Sequence, residues 1–422
     1  MRQLLSIVLV VILVLVLPQF GDASEPCWIT TWTSSPEWAD RDPNEPLLNI
    51  NGQTVRERVR LSVGGRRLRI QLSNEYGSEP LRIGAATVAL PDGPASVKPA
   101  SIHTLTFKGH TAVAISPGTT VLADAIDFSV PSGAQITVSI YFPEHISAAT
   151  YHELGLKRAV ISARDNTHAA KVEPGATSTA LLSLSAVLVP ARLSQRLVVM
   201  FGDSIVDGYG STLDADRNWS NELFRRLQST PGYSEVAVVN SGISGNRLMS
   251  DGFAAGAGFG AGFGMSALAR FDRDALSLPG VTHIVLFEGI NDIGFPGAKL
   301  AERYLADPTH LRTTNDITGA YRELIARAHA RGLKLIGTTL TPFEGVDVPG
   351  YYSDSKEIVR QAVNQWVRTS NSFDGVIDLD AVLRDPAHPS RLLPRFASKD
   401  QLHPNDLGYR AMAEAIDLTL FK

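Results

Sequence analysis

Residues 197–210 read LVVMFGDSIVDGYG, an apolar run that stops abruptly at Gly202-Asp203-Ser204. The run from Leu197 to Phe201 has the length and uniform apolar character of a strand that is buried on both faces. In open α/β sheets, ligands bind at the carboxyl ends of such strands. The stretch therefore predicts an α/β sheet with the hydroxyl of Ser204 at its ligand-binding edge, and Ser204 is a candidate nucleophile.

The chain after Gln195 repeats this pattern. Short apolar runs alternate with segments of helical spacing, in which Trp219, Leu223 and Leu227 are one example. Strands that alternate with helices indicate a parallel sheet covered on both faces. We expect residues 196–422 to form a flavodoxin-like, three-layer α/β/α domain with a five-stranded parallel sheet. The predicted strands are residues 197–201, 236–239, 283–287, 333–337 and 375–379.

Residues 24–190 have a different period. Apolar residues alternate with polar ones, as in Ile136, Val138 and Ile140, and Gly and Pro clusters separate the runs. A period of two is typical of strands with one buried face, and many short strands favour an all-β sandwich. We expect Ala180–Val189 to be its last strand, with 190–195 as the linker to the second domain.

Residues 1–23 resemble a signal peptide. Arg2 precedes an apolar stretch, Leu4–Leu17, and a small-x-small pattern ends at Ala23. We expect a secreted or periplasmic protein without a membrane span after cleavage, with an uncleaved signal anchor as the alternative. The net charge of -4 and the pI near 6.2 argue against nucleic acid as a partner. The single cysteine excludes an internal disulfide.

Four polar blocks follow predicted strands or precede the last predicted helix. Each block alone occurs by chance in many chains, but together and in this order they form a specific signal. They are Gly202-Asp203-Ser204, the segment 240–246 (NSGISGN), Gly289-Ile290-Asn291-Asp292, and Asp400-Gln401-Leu402-His403-Pro404.

The residues in these blocks have complementary chemistry. A serine hydroxyl needs a base to remove its proton, and His403 is the candidate base, oriented by Asp400 three residues earlier. Candidate oxyanion donors are the backbone N–H groups of Ser204 and Gly245 and the side-chain amide of Asn291. The other histidines lack metal-ligand spacing and are expected to be ordinary surface or strand residues, and no HExxH motif or cysteine cluster is present.

These residues closely resemble the SGNH (GDSL-type) hydrolases. The family's Ser, Gly, Asn and His correspond to Ser204, Gly245, Asn291 and His403, and its Asp corresponds to Asp400. The resemblance implies a flavodoxin-like fold, no metal or other cofactor, and esterase chemistry on acyl or acetyl esters of small molecules or polysaccharides. The N-terminal region is similar to that of secreted bacterial members resembling xylan esterases and arylesterases.

Each block also has a purely structural interpretation. Ser204 is a possible helix N-cap, Gly245 a turn residue, Asn291 a turn or cap residue, and Asp400 a cap for the C-terminal helix. Asp203, Asp207 and Asp292 are expected to brace loops rather than to react.

Further alternatives concern function. An acyltransferase would use every residue named above, and a catalytically silent carbohydrate-binding protein would share the β-domain and the export signal. The β-domain itself either contacts carbohydrate or only packs against the catalytic domain. The Gly-rich stretch 252–264 is either a lid over an apolar ligand or a tolerated insertion; a dinucleotide fingerprint is disfavoured because no strand directly precedes it.

Overall fold

The computed structural model describes residues 26–38, 46–146, 150–252, 263–300 and 303–422. The predicted signal peptide, residues 1–23, lies outside these ranges, as does most of the Gly-rich stretch. Within the described part of the chain, no helix is both long enough and apolar enough to cross a bilayer.

The N-terminal region is β-rich, as predicted. Alternation places Ile136, Val138 and Ile140 of one strand in the core, and that strand pairs antiparallel with two neighbours. The strands are β1 (Trp28–Thr33), β2 (Glu37–Trp38), β3 (Gln53–Arg60), β4 (Gly65–Asn74), β5 (Leu81–Ile83), β6 (Ala85–Ala89), β7 (His103–Thr104), β8 (Val113–Ile115), β9 (Thr119–Leu122), β10 (Ile126–Val130), β11 (Gln135–Phe142), β12 (Thr150–His152), β13 (Ala159–Ala163), β14 (Ala176–Ser178), β15 (Leu181–Leu182) and β16 (Leu184–Pro190). Short 3₁₀ turns span Pro46–Asn49 and Pro99–Ser101.

Two larger sheets organise these strands. One has the order β14-β13-β3-β11-β6-β7, and the other has the order β1-β16-β4-β10 with β9 also paired to β4. A small sheet, β15-β12-β2, joins residues from the two ends of the region. The prediction of one continuous strand over Ala180–Val189 was wrong, because this segment divides into β15 and β16. Ser183 lies between the two strands, and its φ of +63° interrupts the extended backbone.

The C-terminal region is α/β, as predicted. Its parallel sheet contains β17 (Arg196–Gly202), β18 (Val236–Gly242), β19 (Val281–Phe287), β22 (Lys334–Thr338) and β23 (Gly375–Ile377), in the order β18-β17-β19-β22-β23. Leu197–Phe201 are fully buried, which explains the uninterrupted apolar run. Two small hairpins pair β20 (Lys299–Leu300) with β21 (Arg303–Tyr304) and β24 (Arg384–Asp385) with β25 (His388–Leu392).

Helices connect these strands and follow the last of them. They are α1 (Ser204–Asp207), α2 (Trp219–Ser229), α3 (Ala267–Phe271), α4 (Ile290–Gly294), α5 (Thr314–His329), α6 (Asp354–Thr369), α7 (Leu379–Leu383) and α8 (Asp406–Glu414). A π-helical turn, Asp272–Leu276, continues α3, and a 3₁₀ turn, Leu418–Phe421, ends the chain's helical structure. Trp219, Leu223 and Leu227 all lie on the buried face of α2, as their spacing predicts.

The β-rich region packs directly on the α/β region. The N–H of Thr30 in β1 donates to the carbonyl of Pro279 at 2.9 Å, and the N–H of Val238 in β18 donates to the hydroxyl of Ser62 at 2.7 Å. Arg60 of β3 pairs with Asp216 at 2.6 Å. Because backbone and side-chain contacts both cross this boundary, the two regions share a close-packed interface.

Glu57 of β3 is a fully buried carboxyl group, and its Oε1 accepts a hydrogen bond from the N–H of Leu182. Burial raises the pKa of Glu57 from 4.5 to about 8, against the opposing effect of that hydrogen bond. The folded chain thus holds this proton more tightly than the unfolded chain. The contribution to stability is complete below the unfolded pKa of 4.5 and is lost as the pH rises through about 8.

We expect Glu57→Gln to remove this loss of stability, because glutamine has no proton to release. The difference in melting temperature between about pH 5 and about pH 9 should therefore be smaller in the variant than in the wild type. A tenfold difference in proton affinity between the folded and unfolded chains changes the free energy of unfolding by about 1.4 kcal/mol. Thermal unfolding, followed by circular dichroism at both pH values, measures the two melting temperatures of each protein. An equal difference in the variant and the wild type would contradict the raised pKa of Glu57.

Candidate active site

Ser204 lies where β17 ends and α1 begins. Asp203 is the N-cap of α1, and its Oδ1 accepts a hydrogen bond from the N–H of Ile205 at 2.9 Å. Capping is therefore done by Asp203, and the hydroxyl of Ser204 lies 2.8 Å from Nε2 of His403. Gly202 allows the end of β17 to lie close to β19, since a Cβ there would lie 1.8 Å from the carbonyl oxygen of Phe287.

His403 is held from the other side by Asp400. Its Nδ1 lies 2.7 Å from Oδ2 of Asp400, while Oδ1 accepts the N–H groups of Leu402 and His403 and the hydroxyl of Ser398. With Nδ1–H donating to the carboxylate, Nε2 carries the lone pair that faces Ser204. Asp400 does not cap the C-terminal helix, because Asn405 caps α8.

The electrostatics of this pair favour a carboxylate. Burial alone would raise the pKa of Asp400, but the hydrogen bonds and the charge of His403, together with the Ser398 hydroxyl, lower it well below its usual range. Asp400 therefore remains ionised at neutral pH. In a Ser-His-Asp triad, a fixed negative charge at this position stabilises the imidazolium form of the histidine.

Gly245 lies in the turn that follows β18. Its φ is +74°, and a Cβ at this position would lie 2.2 Å from the ring of Phe263, so both conformation and space require glycine. The preceding residue, Ser244, donates both its N–H and its hydroxyl to Oδ2 of Asp207, at 3.0 and 2.8 Å. The turn is thereby attached to the last residue of α1, the helix that begins with Ser204.

Asn291 is the second residue of α4, after Gly289 at a φ of +118°. Its Nδ2 donates to the carbonyl of Asn246 at 2.9 Å, and its Oδ1 accepts from the hydroxyl of Tyr351 at 2.8 Å. An amide nitrogen has two N–H groups, so this arrangement fixes the flip of the amide and uses one of the two. The second N–H makes no hydrogen bond to the residues that the structure describes.

Arg270 was not predicted as a residue of the site. Its side chain forms hydrogen bonds to the ends of two strands beneath the site. Its guanidinium donates to the carbonyls of Gly202 and Ser241, each at 2.8 Å, and to Oδ1 of Asn246 at 2.9 Å. It is fully buried, over the ring of Phe201. Arg270 also pairs with Asp274 four residues later, but such a local ion pair is equally typical of a surface arginine, and its other hydrogen-bond partners lie in distant segments.

Buried carboxyl groups surround this arginine. Burial raises the pKa of Asp203 to about 8 and that of Glu288 well above its usual value. Asp292 accepts the N–H groups of Leu248 and Met249. The geometry of Asp203, Asp207 and Asp292 is that of side chains that brace loops.

His152 departs from its prediction. It is 6% exposed, and its ring nitrogens face Glu37 and Asp207, so it is not an ordinary strand residue.

Tyr209 was also not predicted as a residue of the site. Its ring is half-exposed, and its centroid lies 4.4 Å from that of the His403 ring. Of the Gly-rich stretch, residues 253–262 are outside the described ranges, and Phe263 packs against Gly245.

The structure thus brings Ser204, His403, Asp400, Gly245 and Asn291 to one edge of the sheet.

Similar solved structures cover about half of the chain. A GDSL-like lipase from Bacteroides thetaiotaomicron VPI-5482 is 19% identical, covers 55% of this chain and 90% of its own, and gives a TM-score of 0.38. An acetylxylan esterase from Geobacillus stearothermophilus is 20% identical, covers 54% of this chain and 94% of its own, and gives a TM-score of 0.38.

A comparison with curated proteins gives no match. A comparison with family profiles matches residues 200–411 to the GDSL-like Lipase/Acylhydrolase family. The matched segment contains all the blocks that carry Ser204, Gly245, Asn291 and His403. Because the match spans half of the 422-residue chain, the protein belongs to the GDSL-like lipase/acylhydrolase family of ester hydrolases.

Proposed function

We propose that the protein is an exported serine esterase that hydrolyses acyl or acetyl esters through an acyl-enzyme intermediate on Ser204. The observation that carries the proposal is the continuous hydrogen-bonded chain from Ser204 through His403 to Asp400, with distances of 2.8 and 2.7 Å. Such a chain activates a hydroxyl that is otherwise a weak nucleophile.

In the proposed reaction, Oγ of Ser204 attacks the ester carbonyl while Nε2 of His403 takes the hydroxyl proton. The negative charge that develops on the carbonyl oxygen accepts hydrogen bonds from the N–H groups of Ser204 and Gly245 and from the free N–H of Asn291. The tetrahedral intermediate collapses as His403 gives its proton to the leaving alcohol. Water then attacks the acyl-serine by the same route, which releases the acid.

The proposed organisation is a β-sandwich domain, residues 24–190, followed by a flavodoxin-like α/β/α catalytic domain, residues 196–422. The two larger antiparallel sheets support the first assignment. The order β18-β17-β19-β22-β23, which places the first strand of the region between the second and third, supports the second.

We propose esters of small molecules or of polysaccharides as the substrates. Tyr209, half-exposed beside His403, supports a bound alcohol or acyl group that packs on an aromatic ring. An ester panel from p-nitrophenyl acetate through longer acyl chains to acetylated xylan separates these classes. The same panel with an added acceptor alcohol separates hydrolysis from transfer by its products.

A covalent trap tests the proposed intermediate directly. We expect a p-nitrophenyl phosphonate ester to release one p-nitrophenolate per protein, to add one phosphonyl group to the intact mass, and to place it on the peptide containing Ser204. His403→Ala should react at least about 100-fold more slowly, since general-base catalysis contributes about 10²–10⁴-fold. Ser229→Ala, an exposed serine at the end of α2, is the matched control and should react normally. Labelling at another residue would overturn the proposal.

A further inference from the structure

His152 lies in the β-rich region but contacts the helix that begins with Ser204. As the last residue of β12, it places Nε2 3.1 Å from Oδ1 of Asp207 and Nδ1 2.7 Å from Oε1 of Glu37. All three side chains are buried. A residue far upstream of Ser204 thus makes a buried contact with the last residue of the helix that begins at Ser204.

Asp207 connects two parts of the site. It ends α1, one helical turn after Ser204, and its second oxygen accepts both the N–H and the hydroxyl of Ser244. Ser244 immediately precedes Gly245. The Asp207 carboxylate therefore fixes the distance between the helix that presents the nucleophile and the turn that presents an oxyanion donor.

The charges in this cluster favour a strong contact. Burial would lower the pKa of His152, but the neighbouring carboxylates of Asp207 and Glu37 outweigh it and raise the pKa well above its usual value. When protonated, the ring donates from both nitrogens, Nε2 to Asp207 and Nδ1 to Glu37 and to the carbonyl of Ser35, while burial raises the pKa of Glu37 itself to about 7. Hydrogen bonds between ionised groups are shorter and stronger than neutral ones.

We propose that His152 is a positioning residue for catalysis, which acts through Asp207 to hold α1 and the Ser244–Gly245 turn in register. The β-rich region thereby contributes to turnover through one buried side chain and is more than a packing partner. The inference rests on the proposed function, because it assigns Ser204 and Gly245 their roles. His152 is buried and its ring nitrogens face Glu37 and Asp207, so we expect the loss in kcat and not in KM.

The test compares the full-length protein with His152→Gln and His152→Leu. Glutamine keeps an N–H donor but not the charge, and leucine removes both donors. Loss of a residue that orients a catalytic group typically costs about 10–100-fold. We expect kcat for p-nitrophenyl acetate to fall about 10-fold in His152→Gln and further in His152→Leu, with KM within about twofold of wild type.

A double-mutant cycle tests whether His152 acts through Asp207. If it does, adding His152→Gln to Asp207→Asn should lower kcat by less than about twofold beyond Asp207→Asn alone, because the carboxylate partner of the ion pair is already removed. Two controls separate positioning from general destabilisation. Glu57→Gln changes a buried carboxyl away from α1, and Arg60→Gln breaks the ion pair with Asp216 across the same interface. Both should leave kcat unchanged.

The outcomes distinguish this inference from the proposed function. A normal kcat in His152→Gln, or losses that multiply in the double variant, would overturn the positioning role while Ser204→Ala remains inactive. Activity in Ser204→Ala would overturn the proposed function itself. If His152→Leu does not fold, His152→Gln and the cycle with Asp207→Asn still decide the question, with melting temperatures measured for every variant.

Discussion

Replacing Ser204 with alanine will lower kcat for p-nitrophenyl acetate by about 10⁴-fold or more, because loss of the nucleophile abolishes the acyl-enzyme route. The rate that remains in the variant comes from substrate binding and from the proposed oxyanion donors, without a covalent intermediate. Ser204 is only 7% exposed and its hydroxyl faces His403, so the smaller side chain fits without rearrangement. The measurement is steady-state hydrolysis by the purified variant.

Two controls accompany this result. The melting temperature of Ser204→Ala should match that of the wild type within a few degrees, which excludes unfolding as the cause. His403→Ala should fall to a similar rate, and the double variant should be no slower than either, because the two side chains act as one unit. Near-normal turnover in Ser204→Ala would mean that some other group attacks the ester.

Replacing Asn291 with alanine will lower kcat by about 10²–10³-fold, the usual cost of one oxyanion donor. Tyr351 and the carbonyl of Asn246 fix the amide, and in the proposed mechanism this holds its second N–H in place for the developing charge. KM should change little, because the interaction strengthens only as the carbonyl oxygen becomes negative. The hydrolysis assay gives kcat and KM separately.

Asn364→Ala is the matched control. Asn364 is also a buried asparagine with both amide ends bonded, in this case to the backbone of Leu340 on another part of the sheet edge. Its loss should lower the melting temperature without lowering kcat by more than about twofold. Tyr351→Phe should produce a smaller loss than Asn291→Ala, since it loosens the amide but keeps it. A rise in KM alone for Asn291→Ala would show a substrate-binding role instead.

Local sequence determined the features that depend on neighbours in the chain. The uniform apolar run Leu197–Phe201 predicted a strand buried on both faces, since in a parallel sheet both faces are covered. The spacing of Asp400 and His403 was informative for the same reason, because three residues of loop are enough to bring the carboxylate to Nδ1. Helical spacing likewise predicted the buried face of α2.

Tertiary structure alone decided which distant side chains support the site. Arg270, Tyr351 and His152 make their key hydrogen bonds to residues far away in the chain, and such contacts leave no period or spacing in the sequence. His152 and a surface histidine are indistinguishable in a linear chain. Only folding buries His152 between Glu37 and Asp207, where the two acidic side chains raise its pKa, and only there does it reach the helix that begins with Ser204.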